Sequence, residues 1–449
     1  MSPTNNRNIG KKLGWEGKSL HTVLRPSEVE SSTLTESAPD TTSAEKIVFY
    51  HAEQGKPLAT PWQVALTRSK MIDDSSLGKG IILDCACGSG IQLAAHAIHL
   101  QRAALGIELE PMRALASAVN LQTIALSSRQ QNSLRMAATR VLCGDGRDGK
   151  GALETLQNEL NLRQMPEIAL LHLDPARPRN SRSHGLDEMA PRLDEIFTGW
   201  APYLSQGTRG PSVLLDLSPR LSHQQRLEVE EMVDSVWPQI DRTWIWTSRG
   251  RGRVDRLALW LGSISIPNVA RRFVRISPDL QEEPLIIDGG EAILAGDGLP
   301  VKSRRPPRKG ERVSLLDAAF VESGLAEVWL EKVTKSEAIH WGVVEGRRPQ
   351  IHHDHPLQLE DKNHLLVQAT GKIVALAHTN LTLEDVDSLV KIALENDIQK
   401  LTVRVSLEPA LQPKVQGAID RQLAKRHGKR TAFVVQQPGD EMLLLCIVE

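Results

Sequence analysis

Paired cysteines are missing from this chain. Its four, Cys85, Cys87, Cys143 and Cys446, show no Cys-x-x-Cys spacing, and Cys85-Ala-Cys87 is too tight for an ordinary zinc-ribbon pair. Spread over 449 residues they suggest no disulfide framework, which fits a reducing cytoplasm. No run of about 18 apolar residues is present to span a bilayer, and no amino-terminal apolar core resembles a signal peptide. An excess of either charge is missing too, with 54 Lys and Arg against 55 Asp and Glu and a formal net charge of −1. That balance excludes a uniformly cationic nucleic-acid coat, so any polyanion must be met by local clusters. The expectation is a soluble cytoplasmic protein with no membrane partner.

What is present is length enough for two packed domains plus extensions, and a 40% apolar fraction that supports real cores. Residues 1–45 are polar and crowded with Ser, Thr and Glu toward their end, which predicts a disordered tail. Thr60 and Pro61 suit the start of a helix over 61–71. From there, short apolar runs alternate with amphipathic segments, the pattern of a parallel sheet covered by helices on both faces. Strands are expected at 81–85, 103–107, 139–143, 167–173, 212–217, 243–247 and 256–261. Helices are expected at 91–100 and 191–200, with Glu110 capping another that begins at Pro111. The reading is an α/β chain in four parts: the tail, a Rossmann-like seven-stranded domain over 46–265, short strands and a basic linker over 266–312, and a smaller α/β domain over 313–449. Within the last part, 315–333 reads as helical.

Acids stand at four successive strand ends. The stretch from Gly80 to Leu93 reads Gly-Ile-Ile-Leu-Asp-Cys-Ala-Cys-Gly-Ser-Gly-Ile-Gln-Leu, followed by Gly106-Ile-Glu-Leu-Glu-Pro111, Gly144-Asp145-Gly146 and Leu173-Asp-Pro-Ala-Arg177. Gly88 and Gly90 let backbone approach a ligand, and Cys85 sits at the same strand end. A third glycine at Gly-x-Gly-x-x-Gly spacing is missing, so the nicotinamide fingerprint fails. Glu108 stands where a carboxylate accepts both hydroxyls of a ribose. Asp145 would accept an adenine amino group while the Gly146 backbone closes on the ring.

The Gly-rich turn resembles motif I of class I S-adenosylmethionine-dependent methyltransferases, in which the preceding acid, here Asp84, faces the amino group of the cofactor. Asp174-Pro-Ala-Arg177 sits where those enzymes carry their catalytic motif. Transfer from a sulfonium depends on alignment of an acceptor lone pair, so Asp174 would hold an exocyclic amine and Pro175 would aim nearby carbonyls into the cleft. Base amino-methyltransferases commonly have an aromatic residue in this motif, whereas Ala176 and Arg177 stand here. The chain resembles bacterial and archaeal methyltransferases with a carboxy-terminal THUMP-like domain, whose motif also reads Asp-Pro-Ala-Arg. Leu66-Thr-Arg68, Leu217-Ser-Pro-Arg220, Leu315-Leu-Asp317 and Glu322-Ser-Gly-Leu325 are further matching pieces. The resemblance implies an RNA substrate, with S-adenosyl-L-methionine as cofactor.

Arg177, Arg179, Arg182 and Arg192 follow the catalytic motif, and Arg249, Arg251, Arg253 and Arg256 crowd a later turn. Guanidinium groups bind phosphates in a bidentate manner and stack on unpaired bases, so Arg179, Arg182, Arg249, Arg251 and Arg253 are candidate RNA contacts. The bland alternative is that they partner Asp187, Glu188 and Asp255. His352-His-Asp-His355 reads as a loop before Pro356 rather than a metal site. Two rival functions stay open: methyl transfer to a protein or small molecule, and a non-catalytic RNA-binding adaptor.

Overall fold

The computed structural model describes residues 21–37, 46–52, 59–127, 137–176, 185–250, 254–299, 306–437 and 442–449. The chain divides into two compact units. The first comprises Met1–Trp244, Arg256–Asn268 and Pro278–Glu282, and the second Ile245–Asp255, Val269–Ser277 and Glu283–Glu449.

In the first unit a parallel sheet forms because its strands are apolar on both faces. Val213–Leu217 and Ile168–Leu173 are buried throughout, as strands covered by helices on two sides must be. The spatial order is Thr22–Leu24, Arg140–Cys143, Ala104–Glu108, Ile81–Asp84, Ile168–Leu173, Val213–Leu217 and Arg256–Leu261. The inner five run parallel and are flanked on each side by an antiparallel strand, and Arg242–Ser248 follows next to Arg256–Leu261. Between the strands lie the helices Ile91–His99, Pro111–Ser127, Gly149–Glu159, Leu193–Trp200 and His223–Val236. Glu110 starts the second of these by accepting the backbone N–H groups of Met112 and Arg113 at 3.1 and 2.8 Å. Parallel strands end on one edge, so the acids at their carboxyl ends are brought side by side.

Two expectations need correction. The amino-terminal stretch is not all tail: Thr22–Leu24 pairs with Arg140–Cys143. Arg25 anchors it through Glu159 at 3.0 Å, an acid that also takes Arg140 at 3.0 Å. The boundary between units also differs from residue 265. The strand expected at 243–247 spans Arg242–Ser248, and the chain passes from the first unit to the second at Trp244 and Ile245 within it.

The second unit has its own sheet, in the order His340–Val343, Gln350–His353, Arg312–Leu316, Val367–His378, Met442–Val448, Arg430–Gln437 and Ile398–Val403. Val386–Glu395 and Gln412–Leu423 cover one face, where Leu389, Val390, Val415 and Ile419 meet Leu401, Val434 and Leu445. Residues 315–333 are not one helix. Leu315 and Leu316 complete a strand, Ala318–Glu322 and Ala326–Val333 are separate helices, and Gly324 at φ +74° turns the chain between them. The His352 and His353 pair lies on a buried strand rather than a loop, with His353 Nε2 2.8 Å from Ser314 Oγ. In the region expected to hold short strands, Arg271–Arg275 and Leu285–Gly289 pair with each other.

Candidate functional site

A cavity of about 860 Å³ opens at the carboxyl edge of the first unit's sheet. Its lining draws Asp84, Cys85 and Gly88 from the first turn, Glu108 from the second strand, Asp145 and Gly146 from the third, and Asp174 and Pro175 from the fourth. These residues are dispersed over some 90 positions of sequence and meet because four parallel strands end together.

The two glycines of the first turn do different work. Gly88, at φ +53°, has open space where a side chain would stand, which keeps that part of the cavity wall clear. Gly90 does not line the cavity. It starts the helix at φ +70°, and a methyl group there would lie 2.2 Å from Ser117 Oγ on the neighbouring helix. Its need for glycine comes from backbone conformation and helix packing.

Glu108 closes the turn onto the second strand. Its Oε2 accepts the Gly88 N–H and its Oε1 the Glu110 N–H, each at 3.0 Å, while burial pushes its pKa up. Asp145 accepts the backbone N–H of Arg147 at 3.0 Å and its guanidinium at 2.7 Å, and Arg147 also reaches Glu195 at 3.1 Å. Burial would raise the Asp145 pKa, but these Arg147 bonds outweigh it and hold it down. A carboxylate offers about four lone-pair sites, so Glu108, with two bonds, keeps acceptor capacity, whereas the four contacts from Arg147 engage both oxygens of Asp145. Gly146 lies so close to the first turn that a methyl group would come within 1.9 Å of the Cys85 carbonyl oxygen. The Cys85 thiol is held protonated by burial and then by Asp84, which leaves the residue a wall rather than a nucleophile.

Asp174 stands at the mouth with its side chain 37% exposed, and Arg256 Nη2 approaches it at 3.9 Å. Pro175 is buried. Ala176 pairs with Ala190 through backbone hydrogen bonds of 3.0 and 2.9 Å, which brings Met189, Pro191 and Arg192 to the cavity wall. Arg177, Arg179, Arg182, Arg251 and Arg253 lie outside the described residues. Arg249, expected as an RNA contact, is bound by Asp255: its backbone N–H and its Nη2 donate to that carboxylate at 2.7 and 2.8 Å. Arg192 is paired with Asp194 at 2.7 Å. Among the described residues no cluster of three or more His, Cys, Asp and Glu stands ready for a metal, and no helix is long and apolar enough to cross a membrane.

Sequence reasoning missed a buried polar network beneath the first turn. His172 Nδ1 meets Asp84 Oδ2 at 2.7 Å and its Nε2 meets Asp216 Oδ2 at 3.1 Å. Arg68 grips Asp216 with both terminal nitrogens, one at 2.8 Å, and donates to Gln92 Oε1 at 3.1 Å. All four charged side chains are at most 2% exposed. Burial drives the His172 pKa down, but the Asp84 and Asp216 carboxylates outweigh it and hold the group up at about 10. The same pairing, led by Arg68 against the cost of burial, holds Asp216 well below the usual carboxylate range. Imidazolium and guanidinium therefore balance two carboxylates, which is how charges survive at this depth. His96 packs edge-on to His172 at 5.7 Å and is kept neutral by burial. The signal was a lone His172 and a lone Asp216 inside otherwise apolar strands.

No protein-family model matches this chain, and no curated protein matches its sequence. Among solved structures, a candidate methyltransferase from Porphyromonas gingivalis W83 is 14% identical with a TM-score of 0.52, covering 89% of this chain and 83% of that one. A candidate class I S-adenosylmethionine-dependent methyltransferase from Listeria monocytogenes is 13% identical with a TM-score of 0.34, covering 51% and 69%. The first of these likenesses shows the fold alone: a mixed α/β chain with a large sheet whose inner strands run parallel, shared with that structure.

Proposed function

We propose that this chain is an S-adenosylmethionine-dependent methyltransferase that methylates a nucleobase nitrogen in RNA, either tRNA or rRNA. The observation that carries the cofactor is the single cavity in which Asp84, Gly88, Glu108, Asp145 and Gly146 meet. The donor set fits: Asp84 accepts from the amino group, Glu108 from the ribose hydroxyls and Asp145 from the adenine amine, against the backbone of Gly88 and Gly146. When bound, the cofactor supplies an electrophilic methyl group on sulfur. Asp174, at the mouth, accepts a hydrogen from the acceptor amine and turns its lone pair inward, so that orientation carries much of the rate. Pro175, buried behind it, fixes the backbone on which Asp174 stands. The RNA assignment rests on the resemblance of the Asp-Pro-Ala-Arg motif and of the second α/β unit to the family with a THUMP-like domain.

A second reading, transfer to a protein or small molecule, draws on the absence of Phe, Tyr and Trp among the described cavity-lining residues. Incubation of the full chain with total RNA and methyl-labelled cofactor, followed by nucleoside mass spectrometry, separates the two. Label in one nucleoside, lost in Asp174→Ala, is the expected result; label only in protein or small molecules, or full turnover by the variant, refutes the RNA role assigned to Asp174.

A further inference from the structure

The second unit carries a cavity of its own, of about 530 Å³, whose lining includes five arginines, Arg249, Arg275, Arg347, Arg348 and Arg404, and no acid among the described residues. Two of these charges are compensated. Arg249 is bound to Asp255 at 2.8 Å and Arg275 lies 3.6 Å from Asp317. Arg347, Arg348 and Arg404 form no ion pair among the described residues, although all three line this cavity. Like charges gathered without acids are costly to a folded chain, so such a cluster calls for an anion that offsets the repulsion.

The guanidinium groups are also held in advance. Arg348 Nη1 donates to the carbonyls of Val405 at 2.8 Å and Val403 at 3.4 Å, which fixes the side chain and leaves Nη2 and Nε to face a ligand. Arg275 Nε donates to the Leu365 carbonyl at 3.0 Å. Arg404 keeps its Nε shut away from solvent with no hydrogen-bond acceptor. Burial first, then the charges of Arg404 and Arg347, lowers the Arg348 pKa to about 10. Rigid forks with spare donors suit the tetrahedral oxygens of phosphate better than a flexible ammonium would.

We infer that the cavity lined by Arg275, Arg347, Arg348 and Arg404 is a binding site for a phosphate group, carried by an RNA backbone or by a free phosphorylated molecule. The inference concerns the second unit alone and stands whether or not the first transfers methyl groups.

The test uses the full chain with a fluorescein-labelled 12-nucleotide RNA read by anisotropy, and with inorganic phosphate and pyrophosphate read by calorimetry. The double variant Arg348→Gln/Arg404→Gln is expected to weaken binding by tenfold or more, while Arg348→Lys/Arg404→Lys, which keeps the charge, retains part of it. Arg272→Gln, whose side chain pairs with Asp288 away from the cavity, controls for loss of positive charge and should bind as the wild type does. Pyrophosphate that binds and displaces the RNA identifies a free phosphate as a sufficient ligand; RNA that binds without such competition identifies a run of phosphodiesters, and its salt slope should shrink by about 1 in the double variant. Failure of the wild type to bind any of the three probes, or equal binding by the double variant, overturns the inference. Titration of the same variants with S-adenosylmethionine, expected to be unchanged within twofold, separates that failure from failure of the methyltransferase reading.

Discussion

His172 and Asp84 share a hydrogen bond of 2.7 Å between neighbouring parallel strands, so the strand that ends in Asp174 also holds the acid that ends the first. The two ends of the proposed reaction site are thereby coupled through one imidazolium, and that imidazolium should be visible in the stability of the protein.

The His172 pKa, about 10 in the folded chain against 6.5 for a free imidazole, sets the sign. A raised value means the pairing stabilises fully below about pH 6.5 and its contribution is lost as the pH rises toward 10. Urea midpoints of the wild type should therefore fall across that window by more than those of His172→Gln. Parallel pH curves for the two proteins would contradict a buried imidazolium.

Arg68 and Asp216 make the second half of that network. Removing the cation alone, as in Arg68→Met, leaves a buried carboxylate short of a partner and should cost about 3–5 kcal/mol in chemical denaturation. Arg68→Met/Asp216→Leu removes both charges and leaves His172 with Asp84, so it should be less destabilised than the single variant. A double variant worse than the single would show that the pair contributes more than mutual neutralisation.

Much of the site was legible because its signals are local. Asp84, Gly88, Glu108, Asp145 and Asp174 each follow a short apolar run, and the parallel order of those runs brings them to one cavity. The network was not legible, because Arg68, His172 and Asp216 are 104 and 44 residues apart and acquire meaning only when Ile168–Leu173 lies between Ile81–Asp84 and Val213–Leu217. Gly90 was legible as a glycine but not in its reason, since Ser117 on another helix supplies it. The strand at Thr22–Leu24 escaped notice for a similar cause: Glu159, far along the chain, holds Arg25 in place. Edge strands as short as this carry too few residues to show a period.

Gly146 offers a steric test of how closely the first and third turns approach. The Gly146→Ala methyl group would press on the Cys85 carbonyl, a backbone atom that cannot rotate away. Calorimetric melting should show a loss of about 1–3 kcal/mol, with weaker cofactor binding. Wild-type stability and affinity in this variant would mean that the two turns do not meet at the cavity floor.

The proposed cofactor cleft is tested most directly by isothermal titration of the full chain with S-adenosylmethionine. The wild type should bind one equivalent, and Glu108→Ala, which loses both the ribose acceptor and the bond to Gly88, should bind at least about tenfold more weakly, a loss of about 1.4 kcal/mol. Absence of binding by the folded wild type, or undiminished binding by Glu108→Ala, would contradict the account.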